Sequence, residues 1–175
     1  MAKNLLDLTK DDWIVHSRYG LGQVIDIEEK LLDGQLQPCF KVKTDTFDYW
    51  LSKENLNSGR IRRIAESGDF YQALNLISSE PQMLDENFHN RLQEINELIA
   101  ENSILSKAQL IRDMNGRNIR KDIHSNERDI LETQKNQFIG EFALACQVTE
   151  NSARDEVRSA LDKSGLNLKP KKPIF

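Results

Sequence analysis

The hydrophobic period of the chain changes once, near residue 66, from two residues to about three and a half, so a sheet module must be followed by a helical one. Upstream, in QVIDIEE, Ile25 and Ile27 share one face while Asp26 and Glu28 share the other, as a half-buried strand requires. Asp33-Gly34 supplies the positive φ values of a tight hairpin turn. In the next run Phe40 and Val42 oppose Cys39, Lys41 and Lys43. After Thr44-Asp45-Thr46, Phe47, Tyr49 and Leu51 alternate with Asp48, Trp50 and Ser52, and RIRRI closes the series. Short strands with one apolar face each cannot leave it exposed, which predicts a small antiparallel barrel or strongly bent sheet. Gly20 and Gly22 fall where the first strand reverses into the second, a corner that needs positive φ and close backbone approach. A phosphate-binding loop would need a third glycine and a helix N-terminus, and neither follows.

Downstream the spacing is helical. Phe70, Leu74 and Ile77 mark a short amphipathic helix, and Phe88, Leu92, Ile95 and Ile99 mark a second over about 84–100. Ser103 or Ser106 can cap a third that carries Ala108, Ile111 and Met114 and is ended or loosened at Asn115-Gly116. Ser125 can cap a long fourth with Leu131, Phe138, Phe142 and Ala145 inward, where Gly140 would admit a neighbouring helix. Thr149 can cap a fifth that stops before Gly165. The predicted class is α+β: residues 1–66 form the sheet domain, 67–164 a bundle of about five helices, and 165–175 a basic flexible tail ending in KPKKPIF.

Nothing in this pattern supplies catalytic machinery. GxSxG, GxxxxGK[ST] and HExxH are absent, and His16, His89 and His124 lie in separate elements without a ligand partner at i+3 or i+4. The paired carboxylates Glu28-Glu29 and Asp85-Glu86 read as solvated faces. Neither an enzyme, a metal site nor a cofactor is expected. Cys39 and Cys146 are too far apart in sequence for a CxxC site and read as reduced structural thiols. No run is apolar enough for a membrane helix and the start has no signal-peptide pattern, so a cytoplasmic protein without a membrane partner is expected.

A binding protein remains, and charge limits what it binds. The net charge of −4 opposes nonspecific coating of nucleic acid, but residues 1–65 carry 10 basic and 10 acidic side chains while residues 66–164 carry 11 and 18. Within that acidic half, Lys107, Arg112, Arg117, Arg120 and Lys121 face only Asp113 between 107 and 121. Nucleic-acid contact must therefore be local. Trp50 alternates to the polar side of its strand near Lys41 and Lys43, which reads either as a partner surface or as a ring covered by a helix of the second domain. Phe88 near its helix start either packs inward with Leu92 or protrudes.

The run DDWIVHSRYGLGQVIDIEEKLLDGQLQPCFKVK, followed by WLSKENLNSGRIRRI, resembles the RNA-polymerase-interacting domain of the CarD family, which also occurs in the transcription-repair coupling factor. Asp12, His16, Gly20, Gly22 and Val24 fit the family pattern GD-hydrophobic-V-x-H/Y-P-x-x-G-x-G-x-V, with Asp11 replacing its first glycine and Ser17 its proline. The segments NFHNRLQEINELI and AQLIRDMNGRNIRKDIHSNERDILETQKNQFIGEFALA are similar to the helical domain of CarD-type regulators, including the GE-x-A-L-A ending at Gly140–Ala145. A likeness over nearly the whole chain implies a stand-alone regulator.

The resemblance implies a Tudor-like sheet domain that docks edge strand to edge strand on the β subunit of bacterial RNA polymerase. Lys30 and Trp50 would sit at that contact, and the strand pattern adds Lys41 and Lys43 beside Trp50 to the polymerase-binding candidates. It also implies a helical domain that reaches promoter DNA in the minor groove at the upstream edge of the bubble. Phe88 aligns with the family's wedging Trp, keeping the flat apolar face without the indole N–H. Arg91, Arg112, Arg117, Arg120 and Arg128 would hold phosphates, with Lys135 a weaker candidate. The implied protein is a monomer that stabilises the open promoter complex and associates with the nucleoid through polymerase. The competing reading is a polymerase-binding adaptor whose helical domain binds another protein, with Phe88 in the core.

Overall fold

The computed structural model describes residues 7–121, 123–166 and 168, so the KPKKPIF tail lies outside the described residues. The strands are β1 (Trp13–His16), β2 (Gly20–Leu32), β3 (Gln35–Lys43), β4 (Asp48–Ser52) and β5 (Ile61–Arg63). They form one antiparallel sheet in the order β4-β3-β2-β1-β5. Among the described residues neither outer strand has a second neighbour, so the sheet is open rather than a closed barrel. Leu8, Ile14, Val24, Phe40, Val42, Leu51, Leu56 and Ile61 make its core.

The glycines at the β1–β2 corner have separate reasons. Gly20 adopts φ 75°, which a Cβ would oppose. A Cβ on Gly22 would stand 2.6 Å from Val42 Cγ1 and 3.3 Å from the Lys43 carbonyl, so glycine lets β3 close over β2.

Strand alternation departs from expectation where pairing changes. The register of β2 against β3 shifts between Val24 and Asp26, and β1 pairs with β2 only as far as Gln23. The inserted residue moves the inward position to Val24. Ile25 is half-buried and Ile27 is exposed, contrary to the shared inward face read from QVIDIEE. Cys39, assigned to the polar face, is buried, while Phe47, just ahead of β4, is exposed.

Five helices follow: α1 (Ser67–Ser78), α2 (Phe88–Glu101), α3 (Ile104–Arg120), α4 (Ser125–Cys146) and α5 (Glu150–Leu166). Ser103 caps α3, its hydroxyl accepting the Ser106 N–H at 2.9 Å. Asn115-Gly116 does not end that helix. A Cβ on Gly116 would lie 2.3 Å from Pro81 Cβ, so the glycine admits the α1–α2 connection against α3 rather than breaking it. His124, not Ser125, takes the cap position of α4, and its N–H donates to Glu127 Oε2 at 3.0 Å. Gly140 admits no neighbour, since a Cβ there meets nothing within 4 Å, and α5 runs through Gly165 instead of stopping before it. Phe70 stacks on Phe142 and meets Phe138 edge-on, at centroid distances of 5.4 and 5.5 Å, within the helical core.

Two compact units result. One ends at Ile64 and also takes in Ile99–Asn102; the other comprises Ala65–Leu98 and the chain from Ser103 onward. Among the described residues no helix is long and apolar enough to cross a membrane.

Candidate functional sites

In the first unit the polar face of the sheet gathers the residues singled out around Trp50. The β3–β4 register sets Trp50 opposite Lys41. Lys30 reaches from β2 to place Nζ 3.4 Å from the indole centroid, while Lys41 Nζ lies at 6.0 Å. Trp50 remains exposed, with one ring face taken by an ammonium group. Acidic neighbours moderate the charge: Lys41 pairs with Asp48 at 3.6 Å and Lys30 with Glu28 at 3.9 Å. Lys43, opposite Asp48, is exposed. This face belongs to β4, a sheet edge whose outer side carries no strand partner among the described residues. A free edge next to a partly covered Trp is suited to β-strand addition.

The sheet also carries an aromatic cluster that the strand pattern did not bring together. Tyr19 stacks on His16 at 4.4 Å and lies 4.9 Å from Tyr49 and 5.3 Å from Phe47. His16 Nδ1 accepts the N–H groups of Arg18 and Tyr19 at 3.0 and 3.3 Å, so the imidazole closes the turn after β1. Burial, followed by the charges of Arg60 and Arg18, holds its pKa below 6.5. Burial, then the neighbouring Tyr19, pushes the Tyr49 hydroxyl well above its ordinary range.

In the second unit Phe88 is the first residue of α2 and is 42% exposed, so it is not core. Asn87 caps the helix, its Oδ1 accepting the His89 and Asn90 N–H groups at 2.9 and 3.2 Å. The Phe88 ring meets the edge of His124 at 5.0 Å and lies 5.6 Å from the Arg91 guanidinium carbon. One flank of the ring is thus seated and the remainder faces solvent.

The arginines divide into internal and surface groups. Arg91 is 2% exposed: Nε donates to Glu127 Oε1 at 2.5 Å, and Nη1 to the carbonyls of Asp85 and Glu86 at 2.7 and 3.0 Å. Arg112 is equally internal, gripping both Asp113 oxygens at 2.7 and 3.0 Å. These two, read as phosphate contacts, are corrected by their burial, because the donors that face Glu127, Asp113 and the Asp85 and Glu86 carbonyls are turned into the interior. Arg117 is half-buried and 3.7 Å from Glu86, which Lys121 also grips at 2.8 Å. The hydrogen bond from Lys121 holds the Glu86 carboxyl below its usual pKa. Arg120 and Arg128 are exposed. Arg120 donates to the Pro81 carbonyl at 3.1 Å and touches Met83 Sδ, and Arg128 points Nη2 at the Ile123 carbonyl at 3.5 Å. Lys135 is half-buried against Glu132 at 2.7 Å. Glu127 and the His124 ring were missed from sequence; the acid at the third position after the α4 cap was the available signal.

Among the described residues no group of three or more His, Cys, Asp or Glu side chains could hold a metal. Cys39 and Cys146 are free thiols. No curated protein matches the chain. Residues 72–158, which contain the capped Phe88, the Arg91–Glu127 pair and most of the helical core, match the family model for the CarD C-terminal domain. The chain therefore belongs to the CarD family, whose role is in transcription.

Proposed function

We propose that this protein is a cytoplasmic, RNA-polymerase-binding regulator that docks on the polymerase β subunit and stabilises the open promoter complex. The docking domain is residues 1–66, whose β4 edge adds to a strand of the β subunit, with Trp50, Lys30, Lys41 and Lys43 beside it. Residues 67–164 form the DNA-contacting domain. There Phe88 enters the minor groove at the upstream end of the bubble while Arg120 and Arg128, with Arg117 and Lys121 behind them, face phosphates.

The observation that carries this reading is the exposure of a capped, seated aromatic ring at the first position of α2. Inserting a ring between stacked bases costs a few kcal/mol, so a single ring acts where strands have already parted. The adaptor reading needs Phe88 in the core, and its exposure speaks against that.

Phe88→Ala tests the proposal in a promoter assay with polymerase and competitor DNA. The variant should keep its fold and its affinity for polymerase while the open complex decays faster than with the unsubstituted protein. An unchanged decay rate with the fold intact would remove Phe88 from the mechanism.

A further inference from the structure

We infer that Arg91 and Glu127 are positioning residues that pre-organise the Phe88 ring, an inference that rests on Phe88 acting at the opened base step. A half-exposed phenylalanine at a helix start would ordinarily explore several rotamers. Here one buried ion pair connects the helix start that carries the ring to the residue that packs against it. On the near side, Arg91 Nη1 holds the carbonyls of Asp85 and Glu86, the two residues that lead into the Asn87 cap, and so fixes the direction in which α2 begins. On the far side, Glu127 accepts Arg91 Nε with Oε1 and the His124 N–H with Oε2, which fixes the residue whose ring contacts Phe88 edge-on. The Arg91 guanidinium also lies within cation–π range of that ring.

Stability is a weak reason for this arrangement. A buried ion pair is often replaced by apolar side chains of similar volume with no loss of stability. Both partners are 2% exposed, so neither can serve as a surface charge. What the pair does that an apolar pair cannot is grip backbone groups on two separate segments at once. Pre-organisation of this kind removes the ordering penalty at the moment of binding.

The test uses the full chain with polymerase and promoter DNA. The double variant Arg91→Met/Glu127→Leu removes the grip and keeps an apolar core, while Arg91→Lys keeps the ion pair and loses the second nitrogen that holds the carbonyls. Each is compared with Phe88→Ala for open-complex half-life and examined by NMR for cross-peaks between the Phe88 and His124 rings. Folded variants should lose those cross-peaks and shorten the half-life by about two- to tenfold, the factor associated with an aromatic contact of this kind. Retained cross-peaks, or an unchanged half-life where Phe88→Ala shortens it, would overturn the inference, and so would unfolding of both variants. If Phe88→Ala itself has no effect, the functional reading fails while the cross-peaks still decide whether the pair positions the ring.

Discussion

At the scale of single residues, arginines of similar local sequence have opposite surroundings, and partners far along the chain decide which is which. Arg91 faces Glu127 in the interior, whereas Arg120 sits exposed against a carbonyl and a thioether. Arg91→Ala would strand a buried carboxylate and should destabilise by about 3–5 kcal/mol. Arg120→Ala should stay within about 0.5 kcal/mol of the unsubstituted protein. Urea denaturation of both variants measures the contrast. Burial raises the pKa of Glu127, but the Arg91 hydrogen bond, the His124 N–H and the Arg91 charge together hold it below the ordinary range. A carboxylate with a lowered folded-state pKa contributes stability above its unfolded value and loses it as the pH falls through the folded one. The hydrophobic stripe of α2 could not reveal this pair. Its pattern placed Leu92, Ile95 and Ile99 inward; Ile95 is buried as that stripe requires, but Leu92 is only half-buried, the second buried position is Arg91, and the acid that permits Arg91 to be buried is 36 residues away.

At the scale of elements, the β1–β2 corner shows which features local chemistry makes legible. Gly20 and Gly22 could be read in advance because backbone reversal and close approach are properties of glycine itself. The outward turn of Ile27 could not, because it depends on the bulge after Val24 and on how far β1 pairs along β2. Gly22→Ala should destabilise by about 1–3 kcal/mol, since Val42 and the β3 backbone must shift to admit a methyl group; chemical denaturation measures the loss. The same corner has a pH dependence set by His16. Burial, then Arg60 and Arg18, keeps its folded pKa below 6.5, and Nδ1 must stay unprotonated to accept two N–H groups. The unfolded state therefore binds the proton first as the pH falls, so this stability is present above about pH 6.5 and is lost below it, toward the folded pKa. Denaturation midpoints should fall between about pH 7 and 5. His16→Asn, which keeps an acceptor without titrating, should flatten that decline.

At the scale of the whole molecule, charge and surface together argue for tethered action. The chain carries −4, and burial of Arg91 and Arg112 removes two of the cations from which a DNA-binding face could be drawn. With Arg120, Arg128 and the partly neutralised Lys121 and Arg117 left, about two to four phosphates can be engaged. The dependence of log affinity on log salt should then have a slope of about −2 to −4 on free duplex, with weak binding at physiological salt. The proposed tether through the sheet unit would overcome that weakness by raising the local concentration of the helical unit to about millimolar. The two units should therefore fail differently. Trp50→Ala should weaken pull-down by the isolated β lobe of polymerase and lose promoter stabilisation with it, although the helical unit is unaltered. Phe88→Ala should leave the pull-down intact and lose promoter stabilisation alone. Tight, salt-resistant binding to naked duplex, or full promoter activity of Trp50→Ala after its polymerase contact is lost, would show that the helical unit finds DNA without the tether.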